Sequence, residues 1–142
     1  MKTFVVKPQD IKPCWYLVDA KDKILGRVAS KVASVLIGKH KPIYSANIDT
    51  GDYVIVVNAA KIRVTGKKLK DKIYRKYSGY PSGLKEITLE RLLEKKPEQV
   101  MRLAVQRMLP QNSLGRKIIK KLKIYKDAEH LQKSQKPIVL EI

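Results

Sequence analysis

Two carboxylates in Asp49-Thr50-Gly51-Asp52 stand three residues apart, a spacing that can serve an acid/base pair or a metal ion. They precede the apolar run Tyr53-Val54-Ile55-Val56-Val57. Asp and Gly ahead of a strand make turns held by short-range side chain to backbone hydrogen bonds, so the structural reading is favoured over catalysis. His40 lies between Lys39 and Lys41. A histidine set between two cations suits a loop that meets phosphate better than it suits a general base. Cys14 has no histidine near it in sequence and precedes Trp15, the setting of a small buried or half-buried thiol. A single cysteine excludes an internal disulfide, and the two histidines, His40 and His130, are too far apart for a zinc-finger spacing. Neither Gly-x-Gly-x-x-Gly nor Gly-x-x-x-x-Gly-Lys-Ser/Thr occurs, and the turn after the first apolar run is Asp19-Ala20-Lys21-Asp22-Lys23. No catalytic residue, metal, cofactor or small-molecule substrate is therefore expected.

What remains is charge. The chain has 142 residues, with 31 Lys and Arg against 13 Asp and Glu, a formal charge of +18. At 44% hydrophobic it has the composition of a folded protein, not of a disordered polycation. Residues 1–60 carry a net +4, residues 61–126 a net +15 and residues 127–142 a net −1. Lys67, Lys68, Lys70, Lys72, Arg75 and Lys76 are opposed in sequence only by Asp71, and Arg116, Lys117, Lys120, Lys121, Lys123 and Lys126 by nothing. Lys39-His40-Lys41 is a third, smaller cluster. A soluble surface needs only a modest net charge with both signs interspersed, so one-sided runs of this kind point to a polyanion. Tyr74, Tyr77 and Tyr80, interleaved with Lys72, Arg75 and Lys76, supply rings to stack on unpaired bases beside cations that meet phosphates. No apolar run approaches the roughly 18–20 residues of a membrane span, and MKTFVVKPQD lacks the pattern of a secretory signal. A cytoplasmic protein with a nucleic-acid partner is expected. An RNA-modifying enzyme would need a catalytic cluster that is not found, and a DNA-binding architectural protein differs through 2′-hydroxyl contacts that charge does not report.

The elements that must hold these groups follow from periodicity. Trp15-Tyr16-Leu17-Val18 is a short strand after a stretch with Pro8 and Pro13. Leu25, Val28, Ala29, Val32, Ala33 and Leu36 form a helical stripe closed by Gly38. Tyr53–Val57 is β-branched without alternation, as in a central parallel strand covered on both faces. Ile62 and Val64 suggest a half-exposed strand on which Ile73–Tyr77 pairs back, and Ser78-Gly79-Tyr80-Pro81-Ser82-Gly83 is an ordered loop. Thr88 is placed to cap a helix over Leu89–Lys96, and Pro97 opens another whose stripe is Val100, Leu103, Ala104 and Met108. Ser113 is placed to cap a last helix carrying Leu114, Ile118 and Leu122, its polar side being the second basic cluster. Strand, helix, strand and further helices predict an α/β layer with a small parallel or mixed sheet in one domain over residues 1–142. Residues 1–14 form an N-terminal extension, and residues 127–142 a tail packed on the body or on a neighbour.

Taken in order, these motifs resemble the bacterial ribosomal protein L-thirteen family of the large subunit over essentially the whole chain. The matching stretches are Trp15-Tyr16-Leu17-Val18-Asp19-Ala20, Leu25-Gly26-Arg27-Val28-Ala29-Ser30, Gly38-Lys39-His40-Lys41, Asp49 to Val56, Asn58-Ala59 with Lys61, Thr65-Gly66, Ser78-Gly79-Tyr80-Pro81, Met108-Leu109-Pro110 and Leu114-Gly115-Arg116. The resemblance implies a three-layer α/β/α fold with a small, mostly parallel sheet, no enzyme activity, and binding to large-subunit ribosomal RNA early in subunit assembly, beside neighbouring ribosomal proteins. Carried over, the implied RNA-facing residues are Arg27, Lys39, His40, Lys41, Lys61, Tyr80 and Arg116. The two basic clusters add Lys67, Lys68, Lys70, Lys72, Arg75, Lys76, Lys117, Lys120 and Lys121, and the interleaved rings add Tyr77. Three positions depart from the family pattern: Arg107 where a glycine is usual before Met-Leu-Pro, Ser82-Gly83 for Gly-Gly, and Tyr77 for a common histidine.

Overall fold

The structure, a computed structural model, describes residues 4–142. Strand β1 (Trp15–Asp19) leads through helix α1 (Leu25–Ile37) into β2 (Tyr53–Val57), which pairs parallel to β1 with Trp15 opposite Tyr53. The short helix α2 (Lys68–Asp71) precedes β3 (Ile73–Tyr77) and β4 (Leu84–Thr88), an antiparallel ribbon. Helices α3 (Leu89–Lys95), α4 (Pro97–Met108) and α5 (Ser113–Ile118) follow, then β5 (Leu122–Ile124) and β6 (Ile138–Val139). The main sheet has the order β5-β2-β1-β6 with every pair parallel, so the mostly parallel α/β fold expected from the sequence is present and β2 is an inner strand.

Side-chain alternation builds the core. Tyr16 and Val18 of β1, Val54 and Val56 of β2 and Leu122 and Ile124 of β5 join the cluster formed with α1, α3 and α4. The α1 stripe is buried as its spacing predicts, and Gly38 ends the helix in the left-handed region at φ +86°. On the opposite face of the sheet the Trp15 and Tyr53 rings stack at 4.3 Å and Ile55 is fully buried, which is why β2 shows no alternation in sequence.

Several local expectations are corrected. Ile62–Val64 makes only an isolated bridge, Ile24 to Arg63, and Ile73–Tyr77 pairs instead with Leu84–Thr88 across the Gly79 turn. The buried residues of α4 are Pro97, Val100, Met101 and Val105, while Met108 is exposed, because the helix packs against α1 and α3 together rather than on one flat face. Asn112, not Ser113, caps α5, its side chain accepting from the Gly115 N–H at 2.8 Å. Thr88 occupies the cap position of α3 without a side-chain capping bond. The predicted last helix stops at Ile118 and passes through a 3-10 turn, so that Leu122 belongs to a sheet strand. The tail supplies β6, whose pairing on β1 is extended by the Leu140 N–H donating to the Leu17 carbonyl at 2.8 Å.

Candidate nucleic-acid interface

The two sequence carboxylates are the centre of a built junction. Gly38 and Gly51 let the segment before β2 press on the end of α1: a Cβ at Gly51 would lie 1.6 Å from the Leu36 carbonyl oxygen. This places Asp52, fully buried, where it accepts from the Cys14 N–H at 2.8 Å, from His40 Nε2 at 2.8 Å and from Lys41 Nζ at 2.5 Å. Lys41 Nζ also donates to the Lys12 carbonyl at 3.3 Å, so the N-terminal extension is tied to the same point. Beside it, Lys121 Nζ meets Asp49 at 2.8 Å and the Gly51 carbonyl at 3.0 Å and stands 5.5 Å from the centre of the Tyr53 ring. His40, Lys41 and Lys121 were all expected to face RNA. Each is committed to a carboxylate inside the protein, though the His40 side chain keeps 34% of its exposure. Lys39, next to them, is exposed. Cys14 is exposed rather than half-buried, since only its backbone is engaged at Asp52.

The basic segment after Gly66 is built differently. Lys67, Lys68 and Lys70 are exposed around α2, and none has a carboxylate partner among the described residues. In the ribbon, Ile73, Arg75 and Tyr77 alternate with Tyr74 and Lys76. Arg75 Nε pairs with Glu86 directly across the ribbon at 2.6 Å, an exposed pair. Tyr77 and Tyr80 are 64% and 75% exposed, at the end of the ribbon and in its turn. Tyr74 is only 7% exposed, which removes it from the stacking set: its ring packs toward the helices, with Lys72 Nζ 5.4 Å and the Arg107 guanidinium 5.7 Å from its centre. Burial pushes its hydroxyl above the ordinary value, with Arg107 pulling the other way. Arg107 thereby has a structural place that a glycine would leave empty.

Arg116, Lys117 and Lys120 are exposed along α5 and the following turn, and Lys123 and Lys126 are exposed on and after β5. Arg27 is exposed on the first turn of α1, and Lys61 just beyond the end of β2. Sequence reasoning passed over Lys85, Lys95 and Lys96, exposed residues that border the inner side of the ribbon with Lys76 and Arg107. Lys85 could have been found only through the hairpin pairing that sets it opposite Lys76. Among the described residues no cluster of His, Cys, Asp and Glu is suited to a metal ion, and no helix is long and apolar enough to cross a membrane.

The family described as Ribosomal protein L13 matches residues 13–131. The Large ribosomal subunit protein uL13 of Aquifex aeolicus is 56% identical over 142 residues, covering 100% of this chain and 99% of the relative. The proteins of the same name from a Type A strain of Clostridium botulinum and from Aeromonas salmonicida are 58% and 54% identical, again over 100% of this chain and over 99% and 100% of theirs. The glycine junction at Gly38 and Gly51, the Asp52 hub and the Ser78–Pro81 turn all lie within the matched span. On that match the chain belongs to the ribosomal protein L13 family.

Proposed function

We propose that this structural, non-enzymatic protein is a constituent of the large ribosomal subunit that binds large-subunit ribosomal RNA and helps organise it early in assembly. The observation that carries this reading is the separation of two kinds of cation. Those of the Asp49/Asp52 junction are paired internally and brace the fold, whereas those of α2, the ribbon and α5 stand exposed on different elements of one rigid core. Exposed cations at fixed separations neutralise phosphates of several RNA segments at once and so hold them together. In this reading Arg27, Lys39, Lys61, Lys67, Lys68, Lys70, Arg75, Lys76, Arg116, Lys117 and Lys120 meet phosphate, and Lys72, half-buried over the Tyr74 ring, adds charge behind them. Tyr77 and Tyr80 offer rings to unpaired bases. His40 presents the exposed part of its ring, and Lys41 and Lys121 act by holding the loop that carries Lys39. Neighbouring large-subunit proteins complete the surroundings.

The test is cosedimentation of the native protein with the large ribosomal subunit through a moderate salt wash, together with binding to its RNA across a salt series. Each neutralised phosphate contributes about 0.7–0.9 to the slope of log affinity against log salt, so a steep slope is expected. A flat salt dependence, or equal affinity for duplex DNA in competition with structured ribosomal RNA, overturns the assignment.

A further inference from the structure

Beneath the β3–β4 ribbon, against α3 and α4, lies a groove of about 480 Å³, within the roughly 300–1,000 Å³ common for ligand sites. Its floor is apolar, made by Ile87, Leu92, Leu103 and the buried Tyr74. Its border is basic: Lys76 and Lys85 from the ribbon, Lys95, Lys96 and Arg107 from the helices. Lys76 and Lys85 are direct cross-strand partners, and like charges set opposite one another on one face of a ribbon are destabilising. Glu86, the one carboxylate bordering the groove, alternates to the other face of the ribbon and is held there by Arg75. The protein alone therefore keeps two positive charges together at the edge of an apolar space. An anion between them relieves the repulsion, and an apolar body attached to that anion fills the space.

We propose that this groove is a nucleotide pocket, taking one unstacked nucleotide of RNA with its phosphate between Lys76 and Lys85 and its base on the aliphatic floor. The proposal rests on the RNA-binding reading above and adds to it a specific site. The Tyr74 ring is already covered by Lys72 and Arg107, so the base lies on Ile87, Leu92 and Leu103, with the Gln99 amide at the border. An acidic peptide with one large apolar side chain has the same two features. RNA is favoured because the Lys76–Lys85 pair directly adjoins the terminal Tyr77–Leu84 pair, so a strand that rounds the end of the ribbon past Tyr80 reaches these lysines next. Arg75 and Tyr77 lie on the outer face, and the ribbon thus acts as a wedge with RNA on both sides.

The full-length protein is titrated with fluorescein-labelled hexauridylate and with a duplex RNA of equal length, and the hexamer carrying 5-bromouridine is photocrosslinked and mapped by mass spectrometry. Crosslinks assigned by fragmentation to Lys76, Lys85 or Leu103 themselves are expected. Leu103→Trp, which fills the floor and leaves every charge, should weaken hexamer binding about tenfold, within the range of one lost base contact, and leave duplex binding unchanged. The double variant Lys76→Ala, Lys85→Ala should lower the salt slope for the hexamer by about 0.7. Crosslinks confined to Tyr77 and Tyr80, with wild-type hexamer affinity in Leu103→Trp, overturn the pocket while leaving RNA binding intact. Failure of the wild-type protein to bind either RNA overturns the broader reading. Hexamer binding outside the groove, combined with a glutamate-rich, leucine-containing peptide that Leu103→Trp excludes, assigns the groove to a protein partner instead.

Discussion

The junction around Asp52 and the ribbon after Gly66 look alike in sequence, each a run of cations with a nearby Asp. In the folded chain they are opposites. At the junction a buried carboxylate collects His40, Lys41 and the Cys14 N–H, and Asp49 collects Lys121. In the ribbon the exposed lysines have no carboxylate partners among the described residues, Lys76 faces Lys85, and the single ion pair, Arg75 with Glu86, is exposed. An exposed pair contributes little to stability, whereas breaking a buried one leaves an uncompensated charge. Positive charge at the junction therefore supports the fold and positive charge on the ribbon is available to a partner, a division the count of +18 does not contain.

The sharpest way to break this contrast is Asp52→Ala. It removes the acceptor shared by three groups and should cost about 3 kcal/mol in urea denaturation, the low end for breaking a buried pair because His40 is partly exposed. Unchanged stability would place the junction in the same class as the ribbon. Next in size, replacing Lys67, Lys68 and Lys70 with Ala should reduce the salt slope of ribosomal RNA binding by about 2, at roughly 0.7–0.9 per lost phosphate contact. The thermal midpoint of the isolated protein should stay the same or rise as repulsion is relieved. Lys41→Ala should show the reverse pattern, with lower stability and little change in slope. A smaller effect is expected at the ribbon end: Tyr77→Ala and Tyr80→Ala should each weaken binding to single-stranded RNA by about 1 kcal/mol or somewhat more, with no change in the melt.

The smallest effect concerns Asp19, at the end of β1. The Lys21 N–H and the Asn58 side chain donate to its carboxylate and lower its pKa below 3.8, against opposing desolvation. A depressed folded-state pKa means that this contribution is complete above about pH 5 and is lost as pH falls through 3.8 and then through the lower folded value. Asp19→Asn should lower stability slightly near pH 6, converge with the wild type near pH 3 and so flatten the acid limb of the stability curve, as read by urea midpoints between pH 6 and pH 3.

Periodicity exposed the α1 stripe because residues three and four apart share the one helix face that meets the core. It exposed β2 because burial on both faces leaves a continuous β-branched run. It missed β5 and β6, which have three and two residues, too few for any period to register. It also assigned Tyr74 to the stacking set, since three tyrosines at near-alternate positions look equivalent until the ribbon's two faces are distinguished. The nine family motifs were legible as a series, yet several of them, Gly38 and Gly51 above all, turn out to serve the packing of loop on helix.

By itself the sequence determined the α/β class, the absence of a recognisable catalytic motif, the family resemblance and the concentration of charge between residues 61 and 126. These are properties of composition and of neighbours within about a dozen residues. Only the tertiary structure decided which cations are available, because ion pairing depends on distance in space: Lys121 reaches the Gly51 carbonyl across 70 residues of sequence, and Lys85 meets Lys76 only once the ribbon has closed. Charge is additive along a chain, but its availability is set by the partner that folding brings to it.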